Sequence, residues 1–122
     1  ILIRVHGSTL AAELDRSSTA RAIIAALPFE GRVNVWGQEI YFDIPVELPL
    51  AADASAEVAV GDVAYRPQGG AMCIIFGPTP EIVDDAPRAY GPVNRFGRVA
   101  GDANLLSGVA DGAAVTVTIQ TL

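Results

Sequence analysis

A few residues in this 122-residue chain have side chains able to do chemistry, and each has a plainer structural role to weigh against it. Cys73 and His6 are the types of a nucleophile and its base. Cys73, however, sits in the apolar run Ala71 to Phe76, where a thiol is expected to behave as an inert small hydrophobe. His6 ends a strand before a turn and is expected at the surface. Glu81 with Asp84 and Asp85 offers oxygen ligands for a hard cation. Adjacent acids in a proline-rich loop without calcium-loop spacing are expected instead to be solvated, so no metal or other cofactor is expected. Glu39, Asp43 and Glu47 alternate along one stretch and invite an acid–base pairing. With no second wall evident to desolvate them, they are expected on a solvated face. Gly69-Gly70 lacks the following helix and Lys-Ser/Thr of a phosphate cradle. Arg66, beside that apolar run, is the remaining candidate.

These residues must be positioned by strands. Ile1, Ile3 and Val5 alternate, as do Leu10, Ala12 and Leu14, with Gly7-Ser8 between them, which predicts a hairpin. Ser17 or Ser18 is expected to cap a helix in which Ala20, Ile23, Ile24 and Leu27 form one apolar stripe, ended by Pro28. Period two returns at Val33 and Val35, and again at Ile40, Phe42, Ile44 and Val46. Residues 47–56 read as a surface loop, and Val58 to Val60 as a short strand. Val63 to Pro67 and Ala71 to Phe76 form the central hairpin. The second arm is apolar throughout and needs cover on both faces. Residues 81–93 read as a long exposed loop, and Asn94 to Ala100 as a strand. Asp102 is expected to cap one helical turn through Leu106, and a final strand runs within residues 113–122. About eight short antiparallel strands with one helix predict a mainly β fold, a closed barrel in a single domain over residues 1–122.

Composition narrows the function classes. Net charge is −6, and the eight basic residues, all arginine, are scattered from Arg4 to Arg98. Nucleic-acid binding relies on clustered cations, so that partner is not expected. No apolar stretch approaches the roughly 20 residues that span a bilayer as a helix, and no membrane partner is expected. A single cysteine precludes an internal disulfide and fits a reducing, cytoplasmic location. The chain begins at Ile1, which is compatible with a removed leader as well.

The strings VNVWGQEIYFDIPV, GDVAYRPQGGAMCIIFGPTP and VNRFGRVAGD resemble the small bacterial and archaeal cyclophilin-like proteins, over nearly the whole chain. Their pattern runs WG-x-EIYF, GD-x-AYWP-x-G, FFGPTP and VN-x-(I/F)G, and Arg66 departs from the tryptophan usual in AYWP. The resemblance implies an eight-stranded barrel with helices at its ends, in a family that is mostly uncharacterised. True prolyl isomerases carry an arginine on a strand whose counterpart here, within Val33 to Val46, has none. Their pocket tryptophan and histidine are also missing from residues 81–93.

With Cys73 and Ile75 pointing inward, Met72, Ile74 and Phe76 would form an outward apolar strip beside Arg66, bordered by Tyr41 and Asn94. By register this resembles the peptide surface of cyclophilins. The leading expectation is a non-catalytic module binding a peptide or small molecule there. A weak peptidyl-prolyl isomerase using Arg66 as donor to the prolyl nitrogen is the rival, and a homo-oligomer interface on the strip is the third reading. The alternative placement of the strip is ordinary core under the helix.

Overall fold

A computed structural model describes residues 1–77 and 88–120, the side chains of Arg88 and Tyr90 excepted. The first hairpin joins β1 (Leu2–Val5) to β2 (Ser8–Leu14), with Val5 opposite Ser8. Its turn is therefore His6-Gly7, one residue earlier than expected. Both turn residues have positive φ (45° and 84°), which matches the twist of a two-residue hairpin loop. His6 is exposed there. Helix α1 (Ser18–Ala26) starts where Ser17 Oγ accepts the Ala20 N–H at 3.1 Å. It buries Ala20 and Ile23 but leaves Ile24 40% exposed, so its packed stripe is narrower than the sequence implies.

The chain then runs through β3 (Phe29–Arg32), β4 (Asn34–Trp36), β5 (Glu39–Asp43), β6 (Ser55–Glu57), β7 (Asp62–Arg66), β8 (Ala71–Ile75) and β9 (Arg88–Ala100). A 3₁₀ turn (Ala103–Leu106), capped by the Asp102 carboxylate as expected, precedes β10 (Ala114–Thr118). The short strand expected at Val58 to Val60 lies upstream, at Ser55–Glu57.

Nine strands form one antiparallel path, β3-β10-β1-β2-β9-β7-β8-β5-β4, and β6 pairs with β9 off this path. The expectation of a closed barrel holds only in part, because among the described residues no hydrogen-bonded ladder joins the two edges. Those edges, β3 and β4, are successive stretches of one chain separated by Val33. Val33 N–H donates to Ala113 O, and Val33 O accepts from Gly112 N–H. The sheet curls far enough for β3 to lie against β5: a Cβ on Gly31 would stand 3.3 Å from Asp43 O.

Strand β9 takes the place of the expected loop over its described residues, 88–93. It begins at Arg88 and runs through Gly91-Pro92. Its register with β7 pairs Val63 with Gly97 but Ala64 with Arg95, so Phe96 is the extra residue of a bulge. Around this bend the C-terminal half of β9 pairs with β2, and the N-terminal half with β6, irregularly, so that Pro92 need not donate to a regular ladder. Glu81, Asp84 and Asp85 lie outside the described residues.

The central hairpin corrects the predicted faces. Four residues, Pro67 to Gly70, connect β7 to β8, so odd positions on one arm pair with even positions on the other: Val63 with Ile74, Tyr65 with Met72, Ala64 with Cys73. Met72, Ile74 and Phe76 consequently point inward with Val63 and Tyr65, while Cys73 points the other way with Ala64 and Arg66. The expected outward strip is core, 0%, 0% and 7% exposed, packed with Ala20 and Ile23 of α1 and Leu106 of the 3₁₀ turn. It serves neither as a ligand platform nor as an interface.

Asn94, expected at the border of that strip, is also buried, at 2% exposure. Its Oδ1 accepts Ala51 N–H at 2.8 Å, and its Nδ2 donates to Pro49 O at 2.9 Å and to Thr19 Oγ1 at 3.4 Å. The side chain braces the 49–51 loop and α1 against β9. Asn94→Ala strands those loop groups without partners, and we expect a loss of about 2 kcal/mol in urea unfolding. An unchanged midpoint would show the loop to be held by other contacts.

Candidate functional site

The outward face of β4, β5, β8 and β7 gathers the chemistry-bearing side chains. The Gly37-Gln38 turn places Trp36 opposite Glu39, and the β5–β8 ladder places Tyr41 opposite Cys73. Arg66, opposite Ala71 at the end of β7, lays its guanidinium carbon 4.8 Å from the Tyr41 ring centroid, within cation–π range. Its Nε donates to Gln68 O at 2.9 Å, which fixes the plane of the head group. Trp36, Tyr41, Arg66, Gln68 and Gly69 line a cleft of about 380 Å³. Gly69 holds φ at +90°, so the turn that frames the cleft favours glycine there.

Glu39 is the unexpected member of this group. It is 1% exposed, where a solvated position was expected. Its cross-strand neighbour on β8, Ile75, is buried on the same outer face, at 0% exposure. Asp43 and Glu47 are exposed as expected. Burial raises the Glu39 carboxyl to about 7; the Arg66 charge and a hydrogen bond from the Cys73 thiol oppose that rise without cancelling it. Glu39 Oε1 has no hydrogen-bond partner among the described residues. Cys73 is buried, and burial, with the Glu39 charge, pushes its thiol far above the ordinary range. It is a poor nucleophile, and His6 lies apart from it on the β1–β2 turn.

A second acid on the outer face, Asp62, is structural. Its Oδ1 accepts from Arg95 Nε at 2.8 Å, and its Oδ2 from Ala59 N–H at 2.8 Å, fastening the turn before β7 to β9.

Of the residues picked out from the sequence, the structure brings Arg66 and Tyr41 together and sends Met72, Ile74 and Phe76 to the opposite face. Asn94 is committed to the chain's own loop. Sequence reading passed over Trp36 and Gln68 as site residues, set Gly69 aside as part of a turn, and placed Glu39 on a solvated face. The apolar β8 run signals cover on the outer side but not which β5 position shares it: Glu39, opposite Ile75, is buried, and Asp43, opposite Ala71, is exposed.

The model of the cyclophilin-like family matches residues 1–118. The fold is similar to the solution structure of the hypothetical protein AF2241 from Archaeoglobus fulgidus, at 39% identity and a TM-score of 0.80, covering 96% of this chain and 91% of that one. It is also similar to McbB, solved in complex with tryptophan, at 19% identity and a TM-score of 0.71; 96% of this chain aligns with 43% of that one, a likeness of fold alone. No curated protein matches the sequence significantly.

Proposed function

Because the chain belongs to the cyclophilin-like family, we propose that it is a binding domain that takes a small planar carboxylate in the Trp36–Tyr41–Arg66 cleft. The observation that carries this reading is the fixed guanidinium of Arg66, held over Tyr41 and by Gln68 O at the edge of an aromatic-walled cleft. A guanidinium pairs with a carboxylate through two parallel N–H donors, and one already oriented loses little freedom on binding. The aromatic side chains supply flat apolar walls for the rest of the ligand, and about 380 Å³ suits a small molecule. A chain of net charge −6 repels anions at long range, so the attraction is local to Arg66 and weakens with salt. McbB was solved with tryptophan, itself a planar ring bearing a carboxylate, which makes L-tryptophan a sensible second probe.

Trp36 is the only tryptophan in the chain, so intrinsic fluorescence reports on this cleft. Phenylacetate should change it saturably, and Arg66→Ala should weaken binding at least about tenfold, about 1.4 kcal/mol. L-Tryptophan, which would mask that signal, is followed by amide shifts in NMR. No saturable response to either probe up to about 20 mM, a concentration that detects even millimolar affinity, would exclude the reading.

Weak prolyl isomerisation is the second reading, favoured by the same pairing of a guanidinium donor with aromatic walls. The reaction faces a barrier of ~18–20 kcal/mol, and a donor to the prolyl nitrogen lowers it as amide conjugation is lost. A proline-peptide assay decides: activity in the wild type that disappears in Arg66→Ala supports it, and none at high protein concentration removes it.

A further inference from the structure

We infer that occupation of the cleft by an anion at Arg66 is coupled to the uptake of one proton by the buried carboxyl of Glu39. The coupling rests on the carboxylate-binding reading above, because the same guanidinium serves both partners.

Glu39 is shut away from water at 1% exposure, and Oε1 has no donor among the described residues. In its ionised form it is supported by the Cys73 S–H bond and by the positive charge of Arg66. The charged or titratable groups around it among the described residues are few. Arg66 stands on β7, Cys73 on β8, and Tyr41 two residues along β5. Asp62, on β7 as well and level with Glu39 across β8, is already paired with Arg95. Arg66 is thus the cation that interacts with Glu39. An anion seated on the guanidinium offsets that charge, and neither a thiol nor a phenol replaces it. The carboxylate then takes a proton from solvent, forming an O–H bond in place of an unsupported buried charge.

Coupling of this kind is reciprocal: protonation of Glu39 frees Arg66 for the ligand by the same factor that the ligand favours protonation. A carboxyl poised at about 7 puts the exchange within the ordinary range of buffers. If an anion moves that midpoint tenfold in proton concentration, binding is about tenfold tighter at low pH than at high pH, and roughly 0.4 proton is taken up per ligand at pH 7.

The test is calorimetric titration of phenylacetate into the whole protein at pH 7, in bis-Tris and in Tris, two cationic buffers whose ionisation enthalpies differ. The expected result is a buffer-dependent enthalpy reporting proton uptake in the wild type and none in Glu39→Gln, whose affinity becomes independent of pH between 6 and 9. Saturable binding with equal enthalpies in the two buffers overturns the coupling, as does undiminished uptake in Glu39→Gln. A ligand-free arm separates this from failure of the binding reading itself. Arg66→Met removes the charge that an anion would neutralise, and carboxyl carbon NMR should show the Glu39 midpoint rising. A midpoint unchanged from wild type overturns the coupling even where phenylacetate binds nothing.

Discussion

Replacing Glu39 with glutamine is expected to leave stability nearly unchanged at pH 4 and to raise it above wild type at pH 8.5. The sign follows from the two states of the carboxyl. In the unfolded chain Glu39 ionises near 4.5, and in the folded protein burial holds it to about 7. Between those values the unfolded chain has released a proton that the folded chain keeps, so stability falls as pH rises through that window and levels off above it. Below 4.5 both states carry the proton and nothing is lost. The full interval corresponds to on the order of 3 kcal/mol, contributed by a side chain almost wholly out of water. Glutamine keeps the shape and removes the ionisation. Other acids also titrate in this range, so the quantity to measure is the difference between variant and wild type in urea unfolding at the two pH values. A difference that does not grow from pH 4 to pH 8.5 would mean that Glu39 is solvated. The effect runs opposite to that of an ion-paired surface acid, whose contribution is lost on acidification, so the direction alone is diagnostic.

The elements that the sequence discloses are those whose signals are local. Ser17 at the start of an apolar stripe, Asp102 before a single turn and the alternation of Val115 with Val117 need no knowledge of the rest of the chain, and the structure places a cap, a 3₁₀ turn and a strand there. Features that depend on distant partners were not legible in the same way. Strand β9 starts at Arg88 despite Gly91 and Pro92 because β6 pairs with its first half, a contact between segments some 35 residues apart. That β3 and β4, separated in the chain only by Val33, are the two edges of the strand path is recorded by no periodicity. The cleft shows both cases. Arg66 stands out as a lone cation beside an apolar run, whereas Glu39 looks like an exposed strand acid until β8 is set beside it.

Met72→Asp is expected to abolish folding, because the parity of the β7–β8 connection puts this side chain in the core. Met72 is 0% exposed, opposite Phe42 on β5 and Tyr65 on β7. Among the described residues no ion pair or buried cation lies on that inner face, so a carboxylate there is a desolvated charge without a partner, and it either neutralises at a cost or unfolds the chain. Set against the roughly 5–15 kcal/mol that holds a domain together, the loss is decisive. Two graded variants keep the argument measurable where the aspartate yields no soluble protein. Met72→Ala, which leaves a cavity, should cost about 2–5 kcal/mol in urea unfolding. Met72→Leu, nearly conserving volume, should cost less than about 1.5 kcal/mol. A folded Met72→Asp with a wild-type midpoint would place the strip in solvent. That result would reach well beyond one residue, since the faces of a strand move together. Ile74 and Phe76 would turn outward with Met72, Cys73 would turn inward, and the carboxyl–thiol pair behind the Arg66 cleft would be taken apart.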